Sequence, residues 1–359
     1  MNPPHELYRA TELPIFQNRM YPTEAAAKAC ETGDVVLVQN PDTGLVYNAA
    51  FEPERLVYDS DYQNEQGNSD AFRVHLDSVA GMIKRHLDGK SLIEVGCGKG
   101  AFLEQLADAG FPITGMDPAY EGVNPAIRKE YFTPQSNLTG DGIILRHVLE
   151  HIPDPVGFLR HLRDSNGGRG TIYIEVPCLD WIIQNQSWFD VFYEHVNYFR
   201  LSDFHRMFGS VHEARHSFGG QYLSIVADLA TLRDPQRDEP LIEFPAAFTT
   251  GIRYHAQRLA LRAADPTLRT AVWGGASKGV IFAIQMMRAG AGIHAVVDIN
   301  PAKQGKFIAV TGLRVLSPEE ALEVLPPDSD IIVMNPNYLE EIRKLTDHRF
   351  HYLTTDHHA

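Results

Sequence analysis

Apolar residues recur every three to four positions at Ala71/Phe72, Val74, Leu76, Val79/Ala80, Ile83 and Leu87, a spacing that predicts an amphipathic helix over 71–87. Ser91–Val95 follows as a short buried-strand run, broken by Gly96-Cys97-Gly98-Lys99-Gly100. Ala101–Ala109 then reads as a helix stopped by Gly110, and Ile113–Met116 as a strand ending at Asp117-Pro118. Gly142–Leu145 and Thr171–Val176 are two further strands, separated by a helical segment at Pro155–Leu162. Strands alternating with helices at this pitch predict an open, mostly parallel sheet.

The same signature returns near the C-terminus. Thr270–Trp273 is a strand, Gly274-Gly275-Ala276-Ser277-Lys278-Gly279 a turn and Val280–Ala289 a helix. Ile293–Val297, ending at Asp298, and Asp330–Met334 are strands, with a terminal helix around Tyr338–Leu345. Charged, proline-containing Thr231–Glu239 marks a boundary, and Phe244–Leu261 reads as a bridging helix. At the other end, Asp34–Gln39 and Leu45–Asn48 flank the turn Asn40–Gly44, a hairpin that must pack on something else to be stable. The polar stretch Tyr58–Ser69 reads as a loop long enough to cover a cleft. Three units result: a small β-rich module over 1–70, an α/β unit over 71–235 and a second α/β unit over 236–359.

The chain has 359 residues, with 32 Lys plus Arg against 46 Asp plus Glu, a net charge of −14. Such a surface repels a phosphate backbone and argues against a nucleic-acid partner, while leaving room for a local basic pocket. Cys30, Cys97 and Cys178 are too few and too dispersed for a disulfide scaffold or a CxxC zinc site. Met1–Phe16 has no signal-like apolar stretch, and no run of about 18 apolar residues exists, so a cytoplasmic protein without a membrane partner is expected. Nothing in the pattern sets an oligomeric state.

Glu94-Val95-Gly96-Cys97-Gly98-Lys99-Gly100 places glycines at three alternating positions where a strand must turn into a helix and a ligand must touch backbone. Asp117, 17 residues beyond Gly100 at the tip of the next strand, is placed to take ribose hydroxyls. The turn lacks the GxGxxG spacing, which disfavours a dehydrogenase.

This motif with its downstream acid resembles the cofactor site of class I S-adenosylmethionine-dependent methyltransferases. The resemblance extends to Val148-Leu149-Glu150-His151-Ile152-Pro153-Asp154-Pro155, to Phe192-Tyr193-Glu194-His195-Val196-Asn197-Tyr198-Phe199, to the turn Gly274–Gly279, and to Asn335-Pro336-Asn337-Tyr338 with Glu341-Ile342. Together these are similar to the three-domain C-methyltransferases that act on deoxysugar nucleotides in natural-product pathways. The resemblance implies an α/β Rossmann-like class I core between a small N-terminal module and a second Rossmann-like domain. It implies S-adenosylmethionine as cofactor, held by Gly96, Gly98, Gly100 and Asp117, with Glu94 and His147 as further candidates for the cofactor site. It further implies a catalytic Glu194–His195 pair with His195 as base, and His151 as another active-site histidine. The chain departs from the family at Phe192 and Tyr193, where a tyrosine and a histidine are usual. The family's N-terminal zinc on four cysteines is also expected to be absent, since only Cys30 lies there. The Tyr58–Ser69 loop resembles the family's substrate loop, which makes Tyr62 and Asn64 candidate substrate contacts.

Methylation at carbon needs a nucleophile made by removing a proton α to a carbonyl, a step suited to a histidine. The resulting oxyanion needs a donor, for which Tyr193, Tyr198, His151 and His147 are candidates. Lys278 and Asp298 of the second glycine unit offer a phosphate contact and a ribose acceptor, or else belong to a duplicated scaffold. The leading expectation is a C-methyltransferase of a small, possibly nucleotide-linked molecule. O- or N-methylation, and a non-catalytic cofactor-binding protein, stay open.

Overall fold

The computed structural model describes residues 3–56, 67, 69–262, 265 and 267–355. In the N-terminal module the strands are β1 (His5–Pro14), β2 (Met20–Tyr21), β3 (Thr32–Gln39) and β4 (Val46–Asn48), with the short helix α1 (Glu24–Lys28) between β2 and β3. The hairpin forms as an antiparallel pair with Val38 opposite Tyr47, and its turn closes through the Gly44 N–H on the Asn40 carbonyl at 2.8 Å. β1, which the sequence pattern did not announce, pairs antiparallel with β3.

The central unit opens with α2 (Asp70–Leu87), whose N-terminus is capped by the Ser69 hydroxyl accepting from Phe72 N–H. Its buried face carries Phe72, Leu76, Val79, Met82, Ile83 and Leu87. There follow β5 (Leu92–Val95), α3 (Ala101–Asp108), β6 (Ile113–Met116), β7 (Ile127–Arg128), β8 (Gly142–Arg146), α4 (Pro155–Ser165) and β9 (Thr171–Pro177). An aromatic-rich segment then supplies α5 (Leu179–Gln184), β10 (Asn197–Tyr198) and α6 (Leu201–Met207), before β11 (Val211–Ser217) and β12 (Tyr222–Asp228). The sheet order is β7-β6-β5-β8-β9-β12-β11. β5 to β9 run parallel, and β12 is inserted antiparallel beside β9 with β11 antiparallel to it.

The last unit begins with α7 (Ala246–Arg262). It continues through β13 (Thr270–Trp273), α8 (Lys278–Arg288), β14 (Ala295–Val297), β15 (Phe307–Ile308), β16 (Val315–Leu316), α9 (Pro318–Val324), β17 (Asp330–Val333), α10 (Leu339–Leu345) and β18 (His351–Thr354). Its parallel sheet has the order β16-β14-β13-β17-β18.

The small module is stitched to both larger units. β10 pairs with β4, and β15 pairs with β2, so backbone hydrogen bonds cross each junction. One apolar core runs through all three, from Leu13, Ile15 and Leu37 through Trp188, Phe189 and Tyr193 to Phe282 and Ile284. Trp188 stacks on Phe282 with ring centroids 5.5 Å apart. Burial of side chains of this size stabilises by roughly 1.5–3 kcal/mol each, which is what holds a module with few residues of its own. Among the described residues, no helix is long and apolar enough to cross a membrane.

Candidate active site

Each α/β sheet turns its carboxyl edge toward one cleft. On one side stand the ends of β8 and β9, and on the other the glycine turn after β13 and the residues after β14 and β17. Ligands in such sheets bind outside the carboxyl ends, where strand order reverses. The cleft has about 1350 Å³ of empty space, its open mouth included, and is lined from both sides by His147, Glu150, His151, His195, Asn300 and Lys303 among others.

The glycine turn after β5 has positive φ at Gly96 (74°), Gly98 (55°) and Gly100 (86°), the region in which only glycine is at ease. A Cβ on Gly96 would sit 2.5 Å from Val148 and one on Gly100 2.4 Å from Ile127, so both are packed from within. Gly98 differs: no described atom lies within 4 Å of where its Cβ would be. Asp117 reaches back to this turn, one oxygen accepting from Gly98 N–H and the other from Ala119 N–H, each at 2.8 Å. Each oxygen keeps a further lone pair for a hydroxyl. Glu94 is buried at the end of β5, and one of its oxygens is buried without a hydrogen-bond partner. Burial pushes its carboxyl up to about 7, against the pull of Arg146 and with the help of Asp117. Open backbone at Gly98, spare acceptor capacity on Asp117 and an unpaired buried carboxylate fit an adenosyl sulfonium.

At the end of β8 the chain kinks. His147 takes φ 53°, its N–H on the Glu175 carbonyl at 2.9 Å, and a single 3-10 turn over Leu149–His151 follows. This puts the His147 ring between two carboxylates, with Glu150 3.3 Å from Nδ1 and Glu175 3.2 Å from Nε2. Burial opposes its charge, but the two acids outweigh burial and raise the imidazole to about 9. Glu175 is fully buried and also meets Arg146 at 3.0 Å and His75 at 3.0 Å. Its own burial is more than offset, first by Arg146 and then by the two histidines, which hold its carboxyl well below the usual range.

His151 and His195 meet edge to face, ring centroids 5.0 Å apart, and His195 packs the same way on Phe192 at 4.8 Å. His151 Nδ1 lies 3.0 Å from the Glu194 carbonyl oxygen, which fixes Nδ1 as the N–H donor. Burial lowers both imidazoles. For His195 the neighbouring His151, His147 and Lys278 add to burial, and it is held well below the ordinary histidine value.

The other sequence candidates divide. The Glu194 side chain points to the N-terminal module, where it accepts Gln17 N–H at 2.9 Å. Tyr193 is fully buried there too; its hydroxyl accepts Glu52 N–H at 3.0 Å and its ring lies under Gly33. Tyr198 folds its hydroxyl onto the Phe192 backbone, accepting the N–H at 2.9 Å. Neither tyrosine lines the cleft. Lys278 lines it, but pairs with Asp190 at 2.7 Å, donates to Gln221 at 2.9 Å and covers the Trp181 ring. Asp298 accepts from Gly275 N–H and from Lys303 Nζ on one oxygen and from Asn300 N–H on the other. Tyr62 and Asn64 lie outside the described residues. Sequence reasoning overlooked Glu150, Glu175, Asp190 and Gln221. Glu150 stood inside a quoted motif; the others are single polar residues in apolar strands or loops, with no local signal of a role.

The strand order, the glycine turn and the acid at the next strand tip define a class I methyltransferase fold. Residues 68–211 match a family model described as a methyltransferase domain, and 236–351 match the C-methyltransferase C-terminal domain. These matches make the chain an S-adenosylmethionine-dependent methyltransferase, with S-adenosylmethionine as its cofactor. It is 26% identical over 290 residues to the C-methyltransferase NovU of Streptomyces niveus, covering 71% of this chain and 68% of that protein. Similarity to the ubiquinone biosynthesis O-methyltransferase of Idiomarina loihiensis is 30% over 98 residues, 22% of this chain and 40% of that enzyme. Among solved structures, magnesium protoporphyrin IX methyltransferase of Synechocystis PCC 6803 aligns at 18% identity with a TM-score of 0.35, covering 50% of this chain and 98% of that one.

Proposed function

We propose that this enzyme methylates a carbon α to the carbonyl of a small acceptor, most simply a keto-deoxysugar carried on a nucleotide, with His195 as the base. S-adenosylmethionine supplies an activated methyl group, so the protein's own task is to make and aim the nucleophile. The observation that carries this reading is the perpendicular His151–His195 pair at the wall of a cleft between two carboxyl edges. In this reading His195 takes the acceptor's α proton into a ring lone pair, and the C–H electron pair delocalises onto the carbonyl oxygen. A neutral base is needed for that step, and burial keeps His195 neutral at physiological pH. His151, its Nδ1–H engaged by the Glu194 carbonyl, borders the same space. Asn300 and Lys303, across the cleft, are within the lining where a diphosphate or sugar would lie. The name of NovU as a C-methyltransferase supports methylation at carbon.

The test is direct. The enzyme is incubated with S-adenosylmethionine and thymidine-diphosphate 4-keto-6-deoxyglucose, and the product is examined by NMR. A new C–CH3 signal is the expected result. An O–CH3 signal would instead favour the O-methylation reading, for which the short match to ubiquinone O-methyltransferases speaks.

A further inference from the structure

The Glu194 side chain, next to His195 in sequence, faces Gln17, whose backbone N–H it accepts. The carboxylate that does face the histidine pair is Glu150. Ligand atoms of Glu150, His151 and His195 all lie within 4.8 Å of one another. No direct Glu150–His195 hydrogen bond closes this triangle, and the spacing admits one water between carboxylate and imidazole. Glu150 is 1% exposed, and its Oε2 is buried without a hydrogen-bond partner among the described residues, while Oε1 is held by His147. A buried carboxylate oxygen left unmet costs several kcal/mol unless something reaches it in the working state. Behind Glu150 the charges alternate inward, through His147 to Glu175, which Arg146 and His75 anchor.

We propose that Glu150 is the positioning residue of the methyltransferase reaction: through one bridging water it fixes the His195 tautomer and takes up the proton that His195 removes. This rests on the reading of His195 as base. The acceptor's C–H bond breaks, its electron pair stays on the carbon and carbonyl, and the proton bonds to the bare His195 nitrogen. The opposite ring N–H, hydrogen-bonded to the water, passes its proton on, and the water releases one proton to Glu150 Oε2. His195 returns to neutrality with its two nitrogens exchanged in role, and Glu150 becomes a carboxylic acid. His147 holds the other Glu150 oxygen, Oε1, which leaves Oε2 for the water. Lys278, the remaining cation near His195, is tied to Asp190 and offers no acceptor.

The experiment uses full-length enzyme with 15N-labelled histidine and the demethylated cofactor, S-adenosylhomocysteine, at pH 7.5. Wild type should show one protonated and one bare nitrogen on the His195 ring, a single tautomer. Glu150→Leu should draw the two shifts toward each other as both tautomers populate, while Glu150→Asp should keep the single tautomer. In turnover with the ketosugar nucleotide, Glu150→Leu should lower kcat by ~10²-fold with KM within about threefold, and Glu150→Asp should recover part of the loss. A mixed tautomer in wild type would overturn the proposal whatever the variants do, so it stays testable even if Glu150→Leu fails to fold. So would a Glu150→Leu spectrum identical to wild type. Elemental analysis finding one divalent metal per chain, lost in Glu150→Leu, would also overturn it, because the triangle would then be a ligand set. A wild-type enzyme that does not methylate the ketosugar removes the acceptor assignment and leaves the tautomer result standing.

Discussion

At the scale of single residues, the glycine turn separates two jobs that look alike in sequence. Gly100→Ala forces a Cβ against Ile127 at a φ of 86° and should cost stability, roughly 1–3 kcal/mol, read as a lowered Tm. Gly98→Ala meets no protein atom, so beyond a strain of about 1 kcal/mol its methyl intrudes only on what binds beside the turn. Calorimetry should therefore show Gly98→Ala losing S-adenosylmethionine affinity with a small change in Tm. Asp117→Ala should weaken the cofactor several-fold to ~100-fold through lost ribose hydrogen bonds; unchanged affinity would remove the ribose contact. His195→Ala should leave that affinity nearly unchanged and lower turnover by ~10²-fold or more, and equal turnover would take His195 out of the mechanism. The glycines and Asp117 were legible because a sharp turn admits few residue types. The surroundings of His195 were not. Side chains of adjacent residues diverge, so Glu194 turns to Gln17 while Glu150, 45 positions away, reaches the histidines through a one-turn kink.

At the scale of elements, strands with unbroken apolar runs were found where expected, as in β5, β8, β9 and β13, whose residues are nearly all buried. Edge and bulged strands were missed. β1 shifts register twice against β3 and passes Glu12 at positive φ, which breaks the alternation a strand pattern needs. β11 is an edge strand with a polar, half-exposed sequence. On sequence alone the aromatic segment before β10 offers Tyr193 as a catalytic candidate. Its backbone pairing with β4 instead turns Tyr193 into the small module, against Phe51 with Arg55 over the ring. Tyr193→Phe removes the acceptor for Glu52 N–H and should cost about 1 kcal/mol in denaturant unfolding. A tenfold or larger fall in kcat at unchanged stability would return Tyr193 to the chemistry.

At the scale of the molecule, the cleft is held by contacts that no local pattern announces. The two-residue pairs β10–β4 and β15–β2 are too short to read from sequence, and Glu341 of α10 crosses to the N-terminus of α2, accepting from the Ser69 hydroxyl at 2.6 Å. The buried charges behind the cleft give the whole protein a pH signature. His147 is raised to about 9 in the folded chain from an ordinary 6.5, so the fold binds its proton more tightly than the unfolded chain does. Its stabilising contribution is complete below pH 6.5 and is lost as pH rises to about 9. Glu94, raised from 4.5 to about 7, acts in a lower window: its contribution is present below 4.5 and gone above 7. Both slopes point the same way, but they occupy different intervals. Below pH 6.5 the lowered imidazoles of His151 and His195 act against Glu94, since the unfolded chain takes up their protons more readily, so the clean signature is the upper stage. Urea unfolding from pH 6.5 to 9.5 should show stability falling by a few kcal/mol. His147→Gln should flatten that fall and leave the profile below pH 6.5 in place. A variant that keeps the upper slope would show that the proton bound there belongs to another group, and would remove the imidazolium from between Glu150 and Glu175.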